Sequence, residues 1–436
     1  MNDFVSRREF FGVLGAGSLL PSFAAGQTFS SASVPVTSRE LWSWACAQLV
    51  LEPGRAWLDT AGFGPALRAV MAREFRSRER QSEDFAAYWE SALSADGLRR
   101  QLTTLAAFVG AEPDDLALNS GSTEGLNTVA RGLDLQPGDE VLTTVHDRPA
   151  AVYPWLLEAK RRGIKVKQLP QEGVPASPES IVGRFAGAIT PQTKVMAFAH
   201  VQSTDGTVMP VRELCALARS NGIFSVVDGA QGPGLLDLRL AELGCDAYAA
   251  SFHRWLNAPH GTGALFVRRE ARPRLWPLAV EQATGWDTRD RFDQELPPGN
   301  AAGMPEAQAK FGCLGRYHGP SLEGIAIAIE FQQAVNRARI GARMRELAAY
   351  LRSSIAALPG VQVVSPAHPS LSTGIVSLRI ANRGHASVVQ SMGREDRIAV
   401  GHVAHGTGFD AIRVSLHAYN DHDEIERLVN ALRRRL

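Results

Sequence analysis

The sequence lacks what several common classes of protein require. Its 436 residues contain only 4 cysteines, too few to build a disulfide scaffold. Lys and Arg number 46 against 45 Asp and Glu, a formal net charge of +1. A protein that grips a phosphate backbone carries a basic excess, so nucleic acid is not indicated as a partner. No apolar run is long enough for a transmembrane helix, and no internal repeat points to a solenoid. No Gly-x-Ser-x-Gly elbow surrounds Ser122 or Ser251, which leaves a serine hydrolase poorly supported. His402 and His405 form a His-x-x-His pair in what reads as a loop. No further metal ligands cluster beside them, and a surface or packing role suits them better.

What is present is globular. Hydrophobic residues make up 45% and charged residues 21%, and the length points to two domains. The chain opens with an address. Ser6-Arg7-Arg8-Glu9-Phe10-Phe11 sets a twin arginine before a short, glycine-containing apolar stretch that ends near Ala25. Ser22-Phe23-Ala24, or Ala24-Ala25-Gly26, offers a small-residue cleavage site. Residues 1–26 resemble a twin-arginine (Tat) signal, which implies export of a folded chain by the Tat machinery to the periplasm. Residues 27–40 read as a linker. In an oxidising compartment Cys46, Cys215, Cys245 and Cys313 could pair; their spacing does not call for it, and four buried free thiols are expected.

From about residue 41 strands and helices alternate. Strands are expected at Trp57–Thr60, Leu116–Asn119, Glu140–Val145, Lys165–Leu169, Val195–His200, Phe224–Asp228, Ala247–Ser251 and Gly263–Val267. Helices are expected at Ala66–Arg80, Phe85–Val109, Glu124–Arg131 (capped by Ser122 or Thr123), Pro154–Arg162, Pro178–Ala188, Val211–Asn221 and Leu238–Leu243. This alternation argues for an α/β fold with a mainly parallel sheet in a large domain, residues 41–300. A long helical stretch at Leu322–Leu358, with Gly341 as a possible break, opens a smaller α+β domain, residues 301–436. Strands at Gln362–Val364, Gly374–Ile380 and Ala411–Ser415, with helices at His385–Met392 and Asp423–Arg434, complete it.

Ligands of open parallel sheets bind beyond the carboxyl ends of the strands. Four polar segments fall there. Ser120-Gly121-Ser122-Thr123 opens a helix, where backbone N–H groups and hydroxyls suit an anion such as phosphate. Phe224-Ser225-Val226-Val227-Asp228 delivers a carboxylate that needs a cationic or donating partner, with Gln231 one turn on. Ser251 and His253 alternate on one extended face. Arg413 lies in a strand of the small domain, where a guanidinium suits a ligand carboxylate.

In this order the segments resemble the class V aminotransferase family, whose members are fold-type-I enzymes of pyridoxal 5'-phosphate (PLP). The resemblance runs from about Trp57 to the C-terminus and is nearest to the isopenicillin-N-epimerase-like branch. It implies a seven-stranded-type sheet, a homodimer, and PLP as cofactor. It implies that Ser122, Thr123, Ser251 and His253 contact the phosphate. It also implies that Asp228 pairs with the pyridine nitrogen, which keeps the ring an electron sink, and that Gln231 donates to the phenolic oxygen. His200 and Ser203 fall near the cofactor's edge, and Arg413 falls where an amino-acid-like substrate's carboxylate binds.

The sequence departs from the family at one decisive place. Arg254 stands where the family has its Schiff-base lysine. A guanidinium stays protonated and cannot form that covalent link, and it is a poor base for moving an α-proton. Arg148 stands where a ring-stacking His or aromatic is usual, and Arg316 where Thr or Gln is common. Asp228 and Arg254 are the candidate catalytic positions. PLP, if held, is held without a covalent bond. Two expectations follow: an exported PLP-type protein with altered or lost chemistry, or a non-catalytic scaffold or partner subunit of an active paralogue.

Overall fold

The computed structural model describes residue 29 and residues 34–35, 37–170, 173–280, 303–312, 319–405 and 408–436. The twin-arginine segment, Cys313 and Arg316 lie outside the described residues.

Thirteen strands are described: β1 (Ala56–Trp57), β2 (Leu116–Asn119), β3 (Glu140–Thr144), β4 (Lys165–Leu169), β5 (Thr193–Ala199), β6 (Phe224–Gly229), β7 (Ala247–Ser251), β8 (Gly263–Val267), β9 (Val361–Val363), β10 (Ile375–Ile380), β11 (Ile398–Ala399), β12 (Gly401–His405) and β13 (Phe409–Ser415). The large sheet has seven strands in the order β2-β8-β7-β6-β5-β3-β4. All neighbours run parallel except β8, which is antiparallel to both β2 and β7. Strands β6, β7 and β8 are buried along their whole length, as expected of central strands covered on both faces. Strand β4 lies at the edge and exposes Lys165 and Gln168, charged and polar groups that blunt edge pairing. The smaller sheet is antiparallel, in the order β12-β13-β10-β9.

The segments after residue 301 divide between two cores. Leu322, Ile325, Ile329 and Phe331 of the Gly319–Val335 helix join the core that contains Leu105 and Phe252. The next helix, Arg337–Ile355, gives Ile340 and Met344 to that core, then Leu347, Leu351 and Ile355 to the core of the small sheet. The Gly319–Val335 helix and the start of the Arg337–Ile355 helix therefore share a core with Leu105 and Phe252, and the rest of the second helix packs with the small sheet. In the other direction, Ala56 and Leu58 pack in the small-sheet core, because β1 pairs with β11.

The long helical stretch breaks at Asn336 rather than at Gly341. Asn336 has φ 80°, a left-handed conformation that asparagine tolerates, and its side chain accepts from the N–H groups of Ala338 and Arg339. The helix expected from Pro154 starts earlier, at Pro149, because proline is at home in a first turn. The Ser122–Gly132 helix has Gly121, not a hydroxyl, at its cap. His402 lies in β12 and not in a loop; its Nε2 meets Asp410 Oδ1 at 2.7 Å. Cys215 and Cys245 are buried free thiols, whereas Cys46 is only half-buried. No helix among the described residues is long and apolar enough to cross a membrane.

Candidate active site

The carboxyl ends of β2, β6 and β7 bring three of the sequence segments together. Gly121, at φ 143°, turns the chain from β2 into the Ser122–Gly132 helix, a conformation that favours glycine. This places Ser122 against the last residue of β7. Ser251 Oγ accepts from Ser122 N–H at 2.9 Å and shares a hydrogen bond with Ser122 Oγ at 2.7 Å. Thr123, next in the helix, is exposed.

Asp228 is the penultimate residue of β6 and is 3% exposed. Its partner is Arg148. The guanidinium donates from Nε to Asp228 Oδ2 at 2.6 Å and from Nη2 to Oδ1 at 3.1 Å, and Nη2 also reaches Ser122 Oγ at 2.8 Å. Arg148 is held in place by Asp147, whose buried carboxylate accepts from Thr143 and Thr144 at the end of β3 and from Ala199 N–H at the end of β5. Arg148 is thus the cation that buried Asp228 requires.

His253 follows β7 and packs beside Phe63 and His260. Burial, then the charge of Arg254, push its pKa down to about 4, so the ring is neutral at pH 7. Its Nδ1 is buried without a hydrogen-bond partner. Arg254 turns toward the segment after β1. Its Nη1 donates to the carbonyls of Ala61 and Gly62, and its Nε is buried and unpartnered. Burial, with Arg148 and Arg413 nearby, lowers its pKa to about 10, which still leaves it charged at neutral pH.

Arg413, on β13, donates from Nη1 to the carbonyl of Ser203 at 2.9 Å and from Nη2 to Asp59 Oδ1 at 2.7 Å. Ser203 thus contributes its backbone. Gln231 is engaged at both ends: its Nε2 donates to Ala61 O at 3.0 Å and its Oε1 accepts from Trp255 Nε1 at 2.6 Å. His200 is fixed in the core, with Nδ1 3.0 Å from Tyr248 Oη.

The residues that the sequence reading missed are Asp59 and Asp147. Asp59 sits where β1 runs on beside β13, opposite Ser415. Its signal was a carboxylate at the end of the apolar run Trp57-Leu58. The chain's lysines, Lys160, Lys165, Lys167, Lys194 and Lys310, belong to other places. Lys167, Lys194 and Lys310 donate to the carbonyls of Ala188, Pro191 and Arg272.

The profile of the family Aminotransferase class-V matches residues 57–428. The chain belongs to the class V aminotransferases. Among curated class V relatives, isopenicillin N epimerase of Amycolatopsis lactamdurans is 33% identical over 406 residues, covering 90% of this chain and 98% of that protein. The Streptomyces clavuligerus isopenicillin N epimerase is 31% identical, covering 90% and 97%. Among solved structures, a cysteine desulfurase of Escherichia coli superposes with a TM-score of 0.75 at 23% identity, covering 90% of this chain and 98% of that one. The cystine C-S lyase C-DES, solved with its product cysteine persulfide, gives 0.74 at 21%, covering 87% and 98%. These structural likenesses establish the fold: an α/β fold with a mostly parallel seven-stranded sheet.

Proposed function

We propose that this class V aminotransferase binds PLP without a covalent tether, and that its chemistry departs from the usual course of the family. The residues fit the phosphate half of the cofactor. Ser122, Ser251 and Arg148 converge at a helix start, and the buried, unpartnered Nδ1 of His253 lies on the adjoining turn. The residues do not fit a covalent anchor, since the anchoring position carries Arg254. When bound, the cofactor would supply an electron sink; this chain's part would be to hold it. Asp228 is the acid for the ring nitrogen, shared with Arg148. Ser122 and Ser251 orient the phosphate. Arg254 holds its proton at neutral pH and contributes charge, where a lysine would take up and release a proton.

The single observation that carries this reading is Arg254 on the Ala61 and Gly62 carbonyls, within a cleft that keeps its other polar groups. Purified protein incubated with PLP should retain it in equilibrium dialysis, release it on exhaustive dialysis, and gain no mass after borohydride. The Arg254→Lys variant should gain the borohydride-fixed mass and a new absorbance band. Absence of PLP binding in both proteins would end the proposal.

The Arg7-Arg8 leader supports export of the folded chain by the Tat route to the periplasm. Kinship with the family supports a homodimer. The ion pair of Arg148 with Asp228 favours one alternative, a non-catalytic scaffold or partner subunit, because it occupies the acid that ring chemistry needs. Turnover of amino acids with added PLP, abolished by Asp228→Ala, would exclude the scaffold.

A further inference from the structure

The charges of the cleft pair unevenly. Arg148 has Asp228 and Arg413 has Asp59, each at ion-pair distance. Arg254 has no carboxylate at that distance among the described residues. It has only two carbonyls, and its Nε is buried with nothing to donate to. Three guanidiniums against two carboxylates leave one positive charge, and the pairing places it on Arg254. Carbonyl dipoles solvate a cation without cancelling it, and a buried cation with a free N–H is a binding group for an anion.

Arg413 is placed differently. Its two terminal nitrogens are held by Ser203 O and Asp59 Oδ1. Its Nε, like that of Arg254, is buried without a hydrogen-bond partner, but it faces the backbone of β12, where a Cβ at Gly401 would stand 3.1 Å from that nitrogen and 2.9 Å from Asp59 Oδ1, so what separates the two arginines is the carboxylate that Arg413 already holds. Asp59 is itself fixed. It is bridged to Ser415, and its carbonyl accepts the N–H groups of Gly62 and Phe63. The fork of Arg413 already grips a carboxylate that belongs to the protein, and an incoming one would have to displace it.

We propose that the cleft recognises the carboxylate of its small-molecule ligand through Arg254, while Asp59 withholds Arg413 from that role. This rests on the reading of the cleft as a PLP-type site and names what binds beside the cofactor. The ligand is a monoanionic acid at its recognised end. Arg254 offers a carboxylate a planar two-point donor, which a lysine at this position would not.

Two probe pairs test this, each an acid and an amide with no charge at the recognised end. The first is N-(5'-phosphopyridoxyl)glycine against N-(5'-phosphopyridoxyl)glycinamide, read by calorimetry. The second, free of any vitamin B6 group, is succinate against succinamide, its uncharged diamide, read as a shift in melting temperature. The native chain should prefer the first acid by about tenfold or more, the ratio expected of one charge-assisted contact. Arg254→Gln should erase the preference. Arg254→Lys, which keeps the charge and the packing but loses the fork, should keep part of it. Asp59→Asn, by freeing Arg413, should raise it. Acid preference that survives Arg254→Gln, or that is unchanged by Asp59→Asn and lost in Arg413→Gln, overturns the proposal. If the phosphopyridoxyl probes fail to bind but succinate stabilises the protein in an Arg254-dependent way, the cofactor reading falls and this inference stands. If neither pair shows acid preference, the inference falls.

Discussion

Arg148 and Asp228 form a two-point ion pair at the carboxyl end of β6, Nε to Oδ2 at 2.6 Å and Nη2 to Oδ1 at 3.1 Å. The aspartate is 3% exposed in its side chain and the arginine 16%. The pair explains how a carboxylate can sit at the end of an entirely buried strand. It also ties three segments together, since the same guanidinium bonds Ser122 at the head of its helix.

Removing the cation should therefore cost stability. Arg148→Gln leaves Asp228 buried beside a weaker donor. Breaking a buried pair from one side typically costs about 3–5 kcal/mol. Urea denaturation of the variant should show a loss in that range, and added PLP should restore more stability to the variant than to the native chain, because Asp228 is free to meet the ring nitrogen. A loss below about 1 kcal/mol, the ordinary value of an exposed pair, would show that the ion pair is not a structural tie.

Ser251 links the two halves of the phosphate-type cup. It accepts Ser122 N–H and shares a proton with Ser122 Oγ. Ser251→Ala leaves that N–H without an acceptor at a buried place, a cost of about 1–3 kcal/mol. It should also weaken binding of inorganic phosphate and of PLP. Thr123→Ala, at an exposed position on the same helix, should leave stability within about 0.5 kcal/mol of the native chain. Equal effects from the two substitutions would contradict the arrangement.

Much of this was legible before the structure, and the reasons divide cleanly. Strands β2, β4, β7 and β8 have the expected limits, because short apolar runs between turn residues leave few alternatives. Asp228 and Ser251 lie at the ends of β6 and β7, and Ser122 opens the helix that follows β2, as polar residues closing or following apolar runs should. What could not be read was pairing across the chain. The bond from Arg413 to Asp59 spans 354 positions, and the bonds from Arg254 to Ala61 and Gly62 span 193 and 192. Local pattern carries no trace of such contacts. Strand β12 was missed for a related reason. Gly401-His402-Val403-Ala404-His405 has little apolar alternation of its own and is a strand because β13 lies beside it. The helix break went to Asn336 instead of Gly341 because a side chain that caps the next helix outweighs the mere absence of one.

Asn336 offers a direct check of that last point. It combines a φ of 80° with a cap that accepts from Ala338 and Arg339 N–H. Asn336→Ala should cost about 1–2 kcal/mol through lost capping and left-handed strain. Asn336→Gly relieves the strain and should cost less. The order Ala worse than Gly, measured by thermal or urea unfolding, is the reverse of the helix-propensity order, and so separates a cap from a helix interior.

The buried histidines set a pH dependence whose sign is fixed. His200, His253 and His417 each have a pKa lowered to about 4, in every case first by burial, and for His253 also by Arg254, His260 and Arg148. In the unfolded chain a histidine titrates near 6.5. Between those values the unfolded state binds protons that the folded state refuses. Stability is therefore unaffected by these groups above about pH 6.5 and falls as pH drops toward 4, by up to about 1.4 kcal/mol per pH unit for each histidine. Buried carboxyls act in the opposite sense: Asp147 and Glu424 are raised by burial and favour the folded state as acid is added. Their share is common to any pair of proteins that differ at one histidine. The clean measurement is thus the native chain against His253→Gln, by urea unfolding at pH 7 and again near pH 5. The variant, with one proton fewer to take up on unfolding, should decline less between the two. Equal declines would place the proton of His253 on the folded chain and remove the neutral ring from the cleft.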